Sequence, residues 1–305
     1  MGVYDVGEVI KRTRKSLGIT QEELAYGICS TETLSRIESG KRTPNRANFQ
    51  ALMERMGKCG ERYFPHIHVD TYERMEQWEK ILSFHQAHRY REVLIELEEF
   101  EEKIDFDDWV NKQAVIRLKS LCRYHLGEID IKECRKKLML ALRLTVPEWD
   151  GENIPKGVFT RTECFLFCNI AVSYMYEEKL NIALKLLRQM QQYFENTKID
   201  EEERNISEGL LLSNLAQCLG RTGNTKEALE IERKELKRYL QCNRGGRLHG
   251  NLYNMAYQME IQNMPITACK EKLIQAYYAA RFNGDAVHQD HIKQHYENMY
   301  GTFPI

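Results

Sequence analysis

A chain of 305 residues is longer than one small domain and calls for a small domain joined to a larger one. With 42% hydrophobic and 29% charged residues it can build a sizeable core, which excludes general disorder, and its 6 Pro and 18 Gly among many helix formers point to an all-α protein. The net charge of −1 hides an asymmetry: residues 1–65 hold 11 Lys and Arg against 8 Asp and Glu, while the remainder holds 33 against 37, so a basic head sits on an acidic body.

No apolar run approaches the roughly 20 residues that cross a bilayer. The first residues, Met1 to Val6, lack the basic start and apolar core of a signal peptide, and Val6 stands where myristoylation needs Ser or Thr. A cytoplasmic protein with no membrane contact is expected. The nine cysteines include no C-x-x-C pair, and Cys164 and Cys168 have no His at ligand spacing, so they read as reduced, small apolar residues. His66, His68, His85 and His88 invite a metal reading, and His85 and His88 are three apart on a helix, but no acid or Cys partner is fixed by the sequence. No metal and no cofactor are expected. Nor is there a nucleophile–base pair or a nucleotide loop, so the chain does not read as an enzyme.

In chain order, a first helix runs from about Val6 to Leu17, with Val6, Val9, Ile10, Thr13 and Leu17 on one face. Gly18 stops it. Thr20 with Glu23 makes a capping box for a second helix over Gln21 to Ile28. Ser30 or Thr31 caps a third helix that ends at Ser39 and Gly40. After Lys41, Arg42 and Pro44, a fourth helix turns Phe49, Leu52, Met53 and Met56 inward.

The runs Ile19-Thr-Gln-Glu-Glu-Leu-Ala25 and Leu34-Ser-Arg-Ile-Glu-Ser-Gly40, followed by Pro44, resemble the Cro/C1-type (XRE) helix-turn-helix over about residues 5–60. In such a domain the third helix enters the major groove. Thr31, Glu32, Ser35 and Arg36 lie on its outer side, because Leu34 and Ile37 take core positions. Arg36 can pair bidentately with guanine, and Glu32 can accept from cytosine N4 or simply be a dipole-stabilised acid of the first turn. The resemblance implies that Gln21 touches a phosphate, while Lys41, Arg42, Arg46 and the backbone at Asn45 are placed for others. It also implies that Arg14 and Glu38 form an internal ion pair between the first and third helices, with a phosphate contact as a possible extra for Arg14.

Residues 66–72 read as a linker after Pro65, with a helix-turn-helix domain over 1–65 and a repeat domain over 73–305. Three segments of the latter align. Phe167-Cys-Asn-Ile-Ala171, Leu212-Ser-Asn-Leu-Ala216 and Leu252-Tyr-Asn-Met-Ala256 are each followed by an Ala twelve residues after the cluster's own, namely Ala183, Ala228 and Ala268. Cys122 and Cys134 repeat the spacing, and a degenerate unit lies around Ile81, Phe84 and Val93. This resembles the tetratricopeptide repeat, with longer helices than usual, since Val93, Cys134, Ala183, Ala228 and Ala268 stand 41, 49, 45 and 40 residues apart. A right-handed superhelix with a concave face is expected.

Head and repeats together resemble the peptide-responsive regulators of the PlcR, Rgg and PrgX family. That resemblance implies a quorum-sensing regulator which binds an inverted repeat of double-stranded DNA as a homodimer and answers to a short linear peptide on the concave face. Asn169, Asn214 and Asn254, one per repeat, can pair with a peptide backbone, since each amide offers a donor and an acceptor. They can equally bond between helices of the scaffold. Tyr176, Tyr253, Tyr257, Gln217 and Met175 are candidate pocket residues, and Arg221 a holder of a carboxylate. Two alternatives stand beside this reading: a superhelix that binds a partner protein, and a phosphatase built on related repeats. The cluster Glu98, Glu99, Glu101 and Glu102 is a solvated face.

Overall fold

The computed structural model describes residues 6–58, 70–102, 108–242 and 248–304. Among these the chain is helical, with fifteen helices and no strand, so the all-α expectation holds.

Four helices build the head: α1 (Val6–Ser16), α2 (Gln21–Ala25), α3 (Thr31–Glu38) and α4 (Arg46–Arg55). Local chemistry sets their starts. Thr20 accepts from the Glu23 N–H while the Glu23 carboxylate accepts from the Thr20 N–H. Ser30 caps α3 through the Thr33 N–H, and Asn45 caps α4 through the Asn48 N–H. Each bond satisfies a helix-end donor that would otherwise face solvent or be orphaned. Helix α2 ends at Ala25, three residues short of the expected Ile28, because Tyr26 leaves the helical region and Gly27 is left-handed at φ 71°. Ile28 is nonetheless buried with Ile10, Leu24, Leu34, Ile37, Phe49, Leu52, Met53 and Met56. Leu17, expected on the inner face of α1, is 43% exposed, since the chain turns away at Gly18.

The body is a stack of helical hairpins: α5 (Asp70–Gln86) with α6 (Tyr90–Glu101), α7 (Trp109–His125) with α8 (Ile131–Arg143), α9 (Arg161–Tyr176) with α10 (Leu180–Asn196), α11 (Glu201–Arg221) with α12 (Thr225–Cys242), and α13 (Leu248–Ile261) with α14 (Ile266–Phe282). Helix α15 (Ala286–Tyr300) closes the stack. Helix α11 packs on both α9 and α13, so first helices stack along the molecule. Residues 59–69 lie outside the described residues, and with them His66, His68 and most of the expected linker; α5 is already helical at Asp70, inside the span expected to link.

Ala171, Ala183, Ala216, Ala228 and Ala256 are fully buried, which lets paired helices approach closely. The last hairpin departs from the pattern. Cys269, at 1% exposure, takes the buried place and Ala268 is half-buried. The turn between α13 and α14 spans 262–265, one residue more than the turns at 177–179 and 222–224, so the marker slips by one. Cys122 and Cys134 are buried likewise, and burial pushes the Cys122 thiol up to about 12 and the Cys134 thiol to about 11, so both are inert packing groups.

The head is docked on the body. Val110 of α7 packs against the head core. Asn45 Nδ2 donates to Asp108 at 3.0 Å, Arg55 pairs with Glu163 at 3.0 Å, and Lys58 pairs with Asp200 at 2.9 Å. Arg161 of α9 reaches Glu203 at 2.7 Å and Glu54 of the head at 3.6 Å, and its backbone N–H donates to Glu54 at 2.7 Å. Gly27 passes so close to the body that a Cβ there would sit 2.4 Å from the Thr145 carbonyl oxygen. Only glycine combines that approach with its positive φ.

Candidate functional site

Helix α3 presents Thr31, Glu32, Ser35 and Arg36 to solvent, while Leu34 and Ile37 are buried beneath. The side chains of Glu32 and Arg36 are 74% and 59% exposed and pair with each other at 2.7 Å. An exposed i,i+4 pair of this kind contributes only about 0.3–0.5 kcal/mol, so base edges can displace it at little cost. Lys41 and Arg42 are exposed at the end of α3, with Arg42 donating to the Thr33 hydroxyl at 3.4 Å. Arg46 opens α4; its side chain lies outside the described residues. The Asn45 side chain is committed to its cap and to Asp108 of the body.

Behind this surface Arg14 forms a bidentate pair with Glu38, at 2.6 and 2.8 Å, and donates to the Ile19 carbonyl oxygen at 2.8 Å. Gln21, half-buried, gives its amide N–H to Glu38 at 2.7 Å. Burial acts to raise the Glu38 carboxyl, but the hydrogen bonds from Arg14 and Gln21 outweigh it and hold the group below its ordinary value. One N–H of the Gln21 amide is therefore engaged inside the head, and the phosphate role expected of Gln21 falls to its second amide N–H and its backbone N–H.

On the repeat domain the three asparagines differ. Asn169 accepts from Arg117 Nε at 2.9 Å, a bond from one hairpin to the previous one. Asn254 donates to Glu232 of α12 at 2.9 Å. Asn214 has a buried amide nitrogen with no hydrogen-bond partner. Gln217 is exposed, as are Tyr176 at 57% and Tyr257 at 43%. Tyr253 is half-buried and its hydroxyl lies 2.8 Å from His295 Nδ1. Arg221 already holds a carboxylate, that of Glu178 at 2.7 Å. Met175 is 1% exposed within the main core, so it cannot line a pocket.

Sequence reasoning missed Glu232, which carries no motif. It is fully buried, takes amide N–H bonds from Asn251 and Asn254, and burial drives its carboxyl up to about 8 from an ordinary 4.5. The folded protein thus binds a proton that the unfolded chain releases. The stability this supplies is complete below the unfolded value and is lost as pH rises through about 8. Histidines buried in neutral form act the other way only at lower pH: burial pushes His85 down to about 4, so its effect is complete above its ordinary 6.5. Between pH 7 and 9 the thermal midpoint of the protein should therefore fall, and Glu232→Gln should flatten that fall, as measured by circular dichroism melts.

Residues 10–64 match the family model described as helix-turn-helix. The N-terminal domain is a helix-turn-helix domain. Over nearly its whole length the chain is similar in fold to Bacillus thuringiensis PlcR solved in complex with the peptide PapR7 and DNA, at 17% identity and a TM-score of 0.64, covering 95% of this chain and 99% of that one. The apo form of PlcR gives 16% identity and a TM-score of 0.58, covering 95% and 98%. ComR from S. thermophilus, solved with DNA and its signalling peptide ComS, gives 15% and 0.51, covering 95% and 98%. A comparison with curated protein sequences finds no relative. No helix among the described residues is long and apolar enough to cross a membrane.

Proposed function

We propose that this chain is a cytoplasmic, sequence-specific transcriptional regulator that binds an inverted repeat of double-stranded DNA as a homodimer, one half-site per head, under control of a short linear peptide held on the concave face of the repeats. The observation that carries the DNA half is the outward row of Thr31, Glu32, Ser35 and Arg36 on a helix whose other side is locked into the head core. Helix α3 has the length, exposure and polar readers that major-groove recognition uses. The peptide half rests on the fold shared with PlcR and ComR, each solved with a peptide, and on Asn214, whose buried, unpartnered N–H costs about 1–3 kcal/mol until an acceptor is supplied. A peptide carbonyl is such an acceptor.

The mechanism follows from docking. Glu54, Arg55 and Lys58 tie the head to α9 and to the start of α11, so a peptide that binds one packing of the repeats better than another also moves the head. The peptide shifts the equilibrium only by its differential affinity for the two arrangements. One observation favours a second reading: Asn169 and Asn254 are engaged within the scaffold, which leaves Tyr176, Gln217 and Tyr257 as exposed grips for a folded partner protein.

Two substitutions separate the parts. Arg36→Ala should weaken DNA binding by about 1–3 kcal/mol and relax one base preference, measured by anisotropy on a panel of sites. Asn214→Ala should weaken peptide binding while the melting temperature holds or rises, since it removes an unpaired buried donor. A lowered melting temperature with unchanged peptide affinity would assign Asn214 to the scaffold.

A further inference from the structure

We propose that His88, Asp285 and His288 form a binding site for a divalent transition-metal ion that clasps the first helical hairpin to the last helix. His88 sits in the turn between α5 and α6, and Asp285 and His288 open α15, almost two hundred residues later in the chain. One ligand atom from each lies within 4.8 Å of the other two. His288 Nδ1 is 2.7 Å and His88 Nε2 is 3.5 Å from the Asp285 carboxylate, on different oxygens. A tetrahedral zinc site with bonds near 2.0 Å brings its donors to about 3.3 Å from one another, so closure asks only small side-chain movements.

The surroundings are those of a ligand set. Metal-binding imidazoles are held through the ring nitrogen that does not face the ion. His88 Nδ1 lies 2.7 Å from the Tyr90 hydroxyl, which leaves Nε2 turned to the carboxylate. Tyr90 itself is fixed by stacking on His125, with ring centroids 4.7 Å apart and planes within 8°. His249 of α13 also faces the carboxylate, with its Nε2 3.4 Å from Asp285, while its Nδ1 accepts from Asn283 Nδ2 at 3.4 Å. Three imidazoles around one carboxylate exceed what a single ion pair uses, and imidazole with carboxylate suits zinc, cobalt or nickel rather than calcium or magnesium. The left-handed backbone of His88, at φ 56°, is the helix ending that Glu178 and Asn263 also adopt in their turns, and it sets His88 at the end of α5. Bridging the first hairpin and the last helix, the ion would tie the two ends of the stack together.

The test uses the full chain, stripped with a chelator and titrated with zinc by calorimetry and with cobalt by visible absorption. The expected result is one ion per chain with a micromolar or tighter Kd, a cobalt spectrum of low-coordinate type, and a melting temperature that rises with zinc. His88→Gln and His288→Gln should each weaken binding at least tenfold and abolish the thermal shift, with helical content unchanged. Tyr90→Phe, which leaves all three ligands, should weaken it about tenfold through the orientation of His88. Binding weaker than micromolar, or an affinity in either histidine variant equal to that of the parent protein, overturns the assignment.

Discussion

Arg14→Leu should melt the head while leaving the repeat stack folded. Arg14 is 9% exposed, and it neutralises Glu38, which is 5% exposed, through two hydrogen bonds while satisfying the Ile19 carbonyl oxygen with a third. The substitution leaves a buried carboxylate with one amide donor, Gln21 Nε2, in place of a guanidinium. Breaking a buried pair by removing one partner costs about 3–5 kcal/mol. A head of this size has little stability to spare, since whole domains hold about 5–15 kcal/mol and small ones sit at the low end. Hydrogen exchange read by mass spectrometry should show α1 and α3 losing protection while α9 to α12 keep theirs, with DNA affinity lost in parallel. Arg14→Lys should fall between, because an ammonium keeps the charge but not the two-pronged fit. Protection of α1 and α3 within about 1 kcal/mol of the parent protein would contradict the account.

Arg161→Leu should release the head instead of melting it. The guanidinium lies between Glu203 and Glu54, which are 3% and 5% exposed, so its loss leaves two buried carboxylates without their shared cation. Burial first, and then the charge of Glu203, already pushes the Glu54 carboxyl up to about 7 against the pull of Arg161. Without Arg161 the least costly response is for the head to swing away and hydrate Glu54, at an expense comparable to the 3–5 kcal/mol of a broken buried pair. Two readouts follow. Small-angle scattering should give a larger radius of gyration at pH 8, and protection at the C-terminal end of α4 should fall. Lowering the pH should restore docking, because protonated carboxyls can be buried without a cation. A head that stays docked at pH 8 would show that Lys58 with Asp200, Arg55 with Glu163 and the close approach at Gly27 suffice alone.

The head was legible in the sequence because its signals are local. Thr20 with Glu23, Ser30 and Asn45 mark helix starts through hydrogen bonds that span three residues, and the buried faces follow helical spacing. The hairpins were legible for a related reason: a small residue must recur where two helices touch. The slip from Ala268 to Cys269 was not, since it depends on one added turn residue and not on composition. Docking was also out of reach. Glu54 and Arg161 are 107 residues apart and Tyr26 and Glu148 are 122 apart, and nothing in the neighbourhood of either member names the other. The asparagine ladder shows a subtler limit. Its spacing puts an aligned Asn on α9, α11 and α13, but whether an amide faces a ligand or a neighbouring helix depends on Arg117 and Glu232, which lie on other hairpins.

The central claim is that α3 reads DNA under control of a peptide on the repeats. It is tested most directly by fluorescence anisotropy of the full chain on DNA from its own upstream region, with and without the low-molecular-weight peptide fraction of spent medium from its host. The account predicts saturable binding that Arg36→Ala weakens, and an affinity that the peptide fraction changes until the fraction is treated with protease. An affinity indifferent to the fraction, or equal for Arg36→Ala and the parent protein, would contradict it.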